Sequence, residues 1–288
     1  MHVHTTHSGM CTVPGLRAVC RESYNEPLAL REVLTRRGMD LLTVTDHDSI
    51  DAAETLRRFP NFFLSEEVTC RTPSGNEFHM GVYDITERQH AELQRRRGDF
   101  ASLAAYLQEQ ELLFSINHLF SSLTGPRSLD DYRLFQEIFP LVETRNGQML
   151  ETSNRMARRF ACRGRQRAIG GSDAHTLGCA GRTYTEVPGA RTKAEFLAGL
   201  RSGTARVAGD SGDYGKLTRA VLEIGWSMTR ERWWTAALLP LALLAPLVTL
   251  GNYLGERAFA AYWMRRLSQE PRGWRLSRPA AGEIAIAS

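Results

Sequence analysis

Short apolar, β-branched runs alternate along this chain with stretches of helical spacing, and run after run ends in histidine, aspartate or glutamate. Leu41-Leu42-Thr43-Val44-Thr45 leads into Asp46-His47-Asp48, and Phe62-Phe63-Leu64 into Glu66-Glu67. Leu112 to Ile116 ends in Asn117-His118, Leu141-Val142 in Glu143, and Ala168-Ile169 in Gly170-Gly171-Ser172-Asp173-Ala174-His175. Continuous apolar runs suit strands covered on both faces. Strand then helix, repeated about seven times, predicts an α/β fold with a parallel sheet and crossover helices. In closed versions of that architecture the chemistry sits where the strands end.

The helices carry their own punctuation. Asn25 is read as an N-cap, with Pro27 in the first turn and Gly38 as the stop. Ser49 to Arg58 reads as a short helix, Glu87 to Arg97 as a solvated one, and Phe100 to Gln110 as a helix behind Asp99. Ser128 and Asp131 cap a helix to about Ile138, and Thr192 with Glu195 caps another ending near Gly203. Phe78 to Tyr83, after the turn residues Thr72-Pro73-Ser74-Gly75-Asn76, reads as a strand carrying His79, and Thr183 to Val187 as a last strand.

At the amino end stands Met1-His2-Val3-His4-Thr5-Thr6-His7. In an extended segment His2 and His4 point the same way, which makes half of a metal site. With His47, Glu67, His79, His118, Asp173 and His175 they form a set of nitrogen and oxygen donors without thiolate. Such a set suits zinc, manganese or iron in a catalytic site with open positions. Eight donors are too many for one ion, and they imply two or three, with a carboxylate such as Glu67 as bridge. The five cysteines (Cys11, Cys20, Cys70, Cys162, Cys179) are scattered and contain no C-x-x-C pair, the pattern of a reducing compartment; Cys70 and Cys162 read as packing residues.

His2-Val3-His4-Thr5, Thr45-Asp46-His47-Asp48, Glu67-Val68-Thr69, His79, Asn117-His118, Glu143-Thr144-Arg145-Asn146 and Gly171-Ser172-Asp173-Ala174-His175 resemble the successive motifs of the PHP (polymerase and histidinol phosphatase) metal-dependent phosphoesterases, from Met1 to about Val207. The resemblance implies a distorted (β/α)7 TIM-like barrel, a di- or trinuclear centre and hydrolysis of phosphate esters. By motif position His2, His4, Glu67 and Asp173 resemble the ligands of one ion, Glu67, His79 and His118 those of a second, and His47 and His175 those of a third. The chain departs from the pattern in three places. The Asp that opens the first motif would lie upstream of Met1, the acidic residue after the first histidine pair is Gly9, and the proline after the fifth-motif histidine is Leu119.

The implied chemistry is attack on a small phosphorylated substrate, a phosphomonoester or nucleotide, by a metal-activated hydroxide. Arg145 and Arg182 are candidates to grip the phosphate, and Asp46 or His7 to orient ligands or relay protons. The alternative is a membrane-attached metal-binding or sensing module with little turnover, suggested by Gly9 and the absent leading Asp. A net charge of +4 in 288 residues leaves no nucleic-acid footprint.

Domain organisation is read as a catalytic domain over 1–208, a connector over 209–232, a hydrophobic segment over 233–254 and a basic, partly disordered tail over 255–288. Trp233 to Leu254 is 22 residues without a charge, roughly 33 Å as a helix, about the thickness of a bilayer's hydrocarbon. A membrane anchor is expected there despite Pro240 and Pro246. No secretion signal precedes His2, so the catalytic domain is expected on the cytoplasmic side.

Overall fold

The computed structural model describes residues 1–13 and 15–270. Its central feature is a five-stranded mixed sheet of β1 (Ser65–Arg71), β2 (Glu77–Tyr83), β3 (Leu113–Ile116), β4 (Leu141–Asn146) and β5 (Arg167–Gly171), in that order. β1 and β2 form an antiparallel hairpin, β2 and β3 are also antiparallel, and β3, β4 and β5 run parallel. The parallel half has the expected crossovers, α5 (Leu129–Ile138) between β3 and β4 and α6 (Glu151–Gly164) between β4 and β5. The all-parallel sheet expected from the alternation is therefore corrected to a mixed one. Only five residues separate Arg71 from Glu77, and a parallel crossover needs a dozen or more.

The sheet is open, so the ladders do not form the closed (β/α)7 TIM-like barrel. The extended amino-terminal segment and the segments expected as strands at 41–45 and 62–64 make isolated parallel bridges instead, Val3 with Ala174 and Leu42 with Phe62, and His47 bridges Glu67 just beyond them. Side chains have taken the ladder's place there. Thr45 Oγ1 accepts from Val3 N–H at 3.1 Å and Asp46 Oδ1 from Thr5 N–H at 2.5 Å, while Thr45 N–H still reaches Val3 O at 2.9 Å. The amino-terminal segment thus lies between residues 42–47 on one side and Ala174 on the other.

Helices α3 (Glu87–Arg96) and α4 (Phe100–Glu109) join α5 and α6 over the sheet. Their core is aromatic: Phe78, fully buried, sits 5.1 Å from Phe100 and 5.0 Å from Phe135 between ring centroids. Capping boxes at Ser128 and Thr192 start α5 and α7 (Lys193–Ser202), as their sequences predict. Two starts differ. Helix α1 (Pro27–Arg36) begins after Glu26 with no side-chain cap, and α2 shrinks to Ala53–Leu56. Asn25 is a tie between segments: its Nδ2 donates to His4 O at 2.9 Å and Ala174 O at 2.8 Å. Cys70 is buried as expected, but Cys162 is exposed.

A two-stranded sheet of β6 (Thr183–Glu186) and β7 (Arg206–Gly209) precedes α8 (Tyr214–Glu231). A 3-10 helix (Trp233–Leu244) and α9 (Ala245–Ser268) follow. Trp233–Ser268 is long and apolar enough by length and composition to cross a membrane. The helix continues beyond Leu254, so residues 255–268 of the expected tail are helical, and residues 271–288 of it lie outside the described residues.

Candidate metal centre

The amino-terminal segment, β1, β2 and the loops after β3 and β5 bring the predicted donors together, with Glu67 inside β1 rather than at the strand end where the apolar run before it placed it, and His79 inside β2. His2 Nε2, His4 Nε2, Glu67 Oε2 and Asp173 Oδ1 converge: His2 lies 3.0 Å from His4, 3.1 Å from Glu67 and 3.4 Å from Asp173, and His4 lies 3.3 Å from Glu67 and 3.2 Å from Asp173. All four residues are buried. The other edge of each imidazole is already committed. His2 Nδ1 meets Glu143 Oε1 at 2.9 Å, and His4 Nδ1 meets Ser8 Oγ at 2.9 Å, whose own proton goes to Asp46 Oδ1 at 2.7 Å. With both Nδ1 atoms protonated, two Nε2 lone pairs face each other across 3.0 Å, an arrangement that a shared cation resolves.

The size of the nest fits such a cation. The centre of a tetrahedron with edges near those separations lies about 2.0 Å from each corner, the distance of nitrogen and carboxylate oxygen from zinc. Glu67 reaches further with its second oxygen: Oε1 lies 3.1 Å from His118 Nε2 and 4.0 Å from His79 Nδ1, and accepts from Asn117 Nδ2 at 2.8 Å. His79 Nδ1 is buried without a hydrogen-bond partner, a costly state for a polar atom with no other role. A third group forms where His47 Nε2 stands 3.4 Å from Glu67 Oε2 and 3.3 Å from Glu22 Oε1, with His175 Nε2 3.7 Å from that same Glu22 oxygen. His175 Nδ1 is held 3.0 Å from Asp173 O, which turns Nε2 toward Glu22.

The electrostatics match. Burial acts to raise the Glu67 and Asp173 carboxyls, yet His2 and its neighbouring imidazoles outweigh it and hold both well below the ordinary carboxylate range. For His2 burial acts to lower the value, and Glu67, Asp173 and Glu143 together push it well above the ordinary imidazole value. Burial wins at His79 and lowers it, which favours its neutral, lone-pair form. The negative field that raises His2 favours a divalent cation at the same place.

Backbone geometry at the donors is unusual. His118 and Asp173 have φ of +27° and +47°, a region that non-glycine residues enter at a cost and that marks functional sites. Gly171 is required by close approach, since a Cβ there would lie 2.3 Å from His2 Cβ and 2.5 Å from His2 N. Gly171→Ala is expected to push the His2 segment off the end of β5 and to destabilise the fold by about 1–3 kcal/mol. Chemical denaturation checks this, read alongside metal content.

The supporting residues were only partly visible in the sequence. Asp46 is buried and accepts from Thr5 N–H, from Thr5 Oγ1 at 2.6 Å and from Ser8 Oγ, so it positions the loop that aims His4. Asp46→Asn is expected to weaken metal affinity about tenfold, as isothermal titration with zinc would show. Asn146 Nδ2 ties Glu143 Oε2 to Asp173 Oδ2, at 2.9 Å each. Glu22 was missed entirely: no periodic element contains it. The sole signal was the gap left by Gly9, a missing acidic donor that some other side chain had to supply.

Arg145 and Arg182 lie elsewhere. Both line a cavity of about 610 Å³ with Glu151, Cys179, Lys216 and Arg219, and none of the eight predicted donors lines it. Arg145 Nη1 donates to Gly209 O, and Arg182 Nε to Gly178 O at 2.8 Å. His7 also stays out of the donor clusters.

Comparison with known proteins agrees with this architecture. Residues 151–205 match the PHP-associated family model (PHP_C). PsfC from Pseudomonas syringae PB-5123 superposes with a TM-score of 0.55 at 18% identity, over 80% of this chain and 96% of its own. A two-domain protein from Bacteroides vulgatus ATCC 8482, containing a predicted PHP-like metal-dependent phosphoesterase, gives 0.55 at 16% identity, over 78% of this chain and 68% of its own. Comparison with proteins of curated function yields no match. The family-model match over residues 151–205 agrees with the resemblance carried by the motifs, and the two superpositions show a shared fold.

Proposed function

We propose that this chain is a metal-dependent hydrolase of phosphate esters, acting on a small phosphomonoester or nucleotide-type substrate. The observation that carries the reading is the convergence of His2 Nε2, His4 Nε2, Glu67 Oε2 and Asp173 Oδ1 on one point. Those four would hold one divalent ion, Glu67 with His79 and His118 a second, and His47, His175 and Glu22 a third. Zinc, manganese and iron all suit these donors. Bound there, divalent ions supply activation of water at neutral pH and neutralise charge on the phosphoryl oxygens.

The chain's own residues do the rest. Glu143 and Ser8 fix the tautomers of His2 and His4, Asp46 positions Ser8, and Asn146 orients Asp173. Arg145 and Arg182 stay candidates to meet the substrate's charge from the separate cavity that they line, because a guanidinium forks onto two phosphate oxygens. The bridges at Val3, Leu42 and His47 favour reading the architecture as a distorted barrel whose missing rungs are side-chain bonds. The division into a catalytic domain over 1–208, a connector to 232 and an apolar segment that meets membrane lipid is part of the same proposal, with the domain on the cytoplasmic side.

Metal analysis paired with a screen of phosphomonoesters and nucleotides tests the reading. Two or three ions per chain and hydrolysis are expected, and the Asp173→Ala, His175→Ala double variant is expected to lose hydrolysis together with the ions that those two residues would hold. Bound metal without hydrolysis would favour the sensing module, and unchanged metal content and turnover in the double variant would refute the assignment.

A further inference from the structure

The uncharged stretch Trp233 to Leu254 has both of its flanks fastened to the same body. Before it, Glu231 Oε1 pairs with Arg21 Nε at 2.7 Å, and Lys216 Nζ donates to Gly147 O at 2.7 Å. After it, Glu256 is buried and Oε1 accepts from Ser122 N–H at 2.7 Å and from Ser122 Oγ at 2.6 Å. Trp263, also buried, packs 4.6 Å from Tyr132 between ring centroids. A segment that crosses a bilayer delivers its two ends to opposite sides, about 30 Å apart. Here the chain leaves the domain and returns to it.

What lies between is apolar and turned outward. Trp233 and Leu243 are 82% and 84% exposed, and Leu247 is 68% exposed. Thr218 Oγ1 meets Thr249 Oγ1 at 2.7 Å, and Tyr214 OH donates to Pro246 O at 3.1 Å, so the start of α9 lies against the start of α8 as a hairpin. The rim is cationic: Arg219, Arg230, Arg257, Arg265 and Arg266 are exposed, and none is in a carboxylate ion pair among the described residues. Trp226, Trp233 and Trp234 stand exposed near one end, the residue type that settles at headgroup level. A second copy would bring like charge against like, whereas an anionic bilayer offers an apolar interior beneath negative headgroups.

We propose that this hairpin enters one leaflet of an anionic membrane from the domain's side and does not cross it. The inference rests on the reading that the apolar segment meets lipid, and refines it from an anchor that spans to one that dips in. Full-length protein is mixed with sealed vesicles of phosphatidylcholine alone or of equal parts phosphatidylcholine and phosphatidylglycerol, then sedimented. Binding to the anionic vesicles is expected to exceed binding to the neutral ones, and to fall about tenfold or more in Leu243→Glu, Leu247→Glu protein, whose changes sit at exposed positions and leave metal content intact. On bound Ser268→Cys protein, a membrane-impermeant maleimide added outside is expected to label both the introduced thiol and the exposed Cys162, peptide by peptide. Protection of one of the two until detergent is added would show a span and overturn the proposal while keeping the anchor. Failure of the wild-type chain to sediment with either vesicle would overturn both. A soluble dimer that the double variant converts to monomer would identify a second copy as the occupant instead.

Discussion

Replacing Glu67 by glutamine is expected to empty more than one metal position at once and to cost about a thousandfold in turnover, roughly 4 kcal/mol of transition-state stabilisation. The expectation follows from how the carboxylate is shared. Its Oε2 lies within 3.4 Å of His2, His4 and His47, while Oε1 faces His118 and His79. Each of the three donor triads includes Glu67 or shares residues with one that does. Glutamine keeps the size but offers only one oxygen acceptor and removes the charge. Loss of metal measured by mass spectrometry, together with loss of phosphatase activity, checks it. A variant that keeps its full complement of ions would show that Glu67 does not bridge.

Glu22→Ala is expected to behave differently, losing one equivalent of metal, keeping the others, and slowing hydrolysis about a hundredfold. Glu22 Oε1 is the carboxylate oxygen that faces both His47 and His175, and those imidazoles together hold its carboxyl far below the ordinary range against the opposing effect of burial. Alanine leaves His47 with Glu67 and leaves His175 without an anionic partner at this position. Stoichiometry measured at saturating zinc separates the outcomes. A unit decrease is expected, and an unchanged number would place the third ion elsewhere or remove it from the account.

These two residues also show what was legible in the chain. Glu67 could be picked out because an apolar run leads into it, and the eight donors because six imidazoles and two carboxylates recur next to apolar runs, although Glu67 and His79 lie within β1 and β2. Glu22 sits in an irregular loop, where periodicity carries no information. Asn25 was misassigned for a related reason. Asparagine before a proline-started helix satisfies backbone groups as a cap, and the same amide satisfies the carbonyls of His4 and Ala174 when tertiary structure brings them close. The β1–β2 hairpin was written in the five-residue turn after Arg71, yet the stronger signal of alternation suggested parallel strands. The antiparallel pairing of β2 with β3 is not marked at all, because 29 residues and two helices intervene between Tyr83 and Leu113. Glu256, placed in the tail by the sequence reading, is buried with Ser121 and Ser122 as its partners, which its neighbours Gly255 and Arg257 do not announce.

The fold makes the site where it does for simple reasons. Just beyond β3 and β5, His118 and Asp173 turn at positive φ toward Glu67 and His2, and the side-chain amides of Asn117 and Asn146 reach Glu67 and Asp173. Threonine and aspartate side chains replace the ladder along residues 2–8 and hold the first two imidazoles rigid. A donor set fixed in advance loses little freedom when a cation enters.

Anomalous diffraction at the zinc edge, from crystals of metal-replete full-length protein, examines the shared cage most directly. The expected result is a peak at about 2.0–2.2 Å from His2 Nε2, His4 Nε2, Glu67 Oε2 and Asp173 Oδ1, with a second on the His79 and His118 side of Glu67. Zinc found by elemental analysis but giving no peak among those four atoms would contradict it.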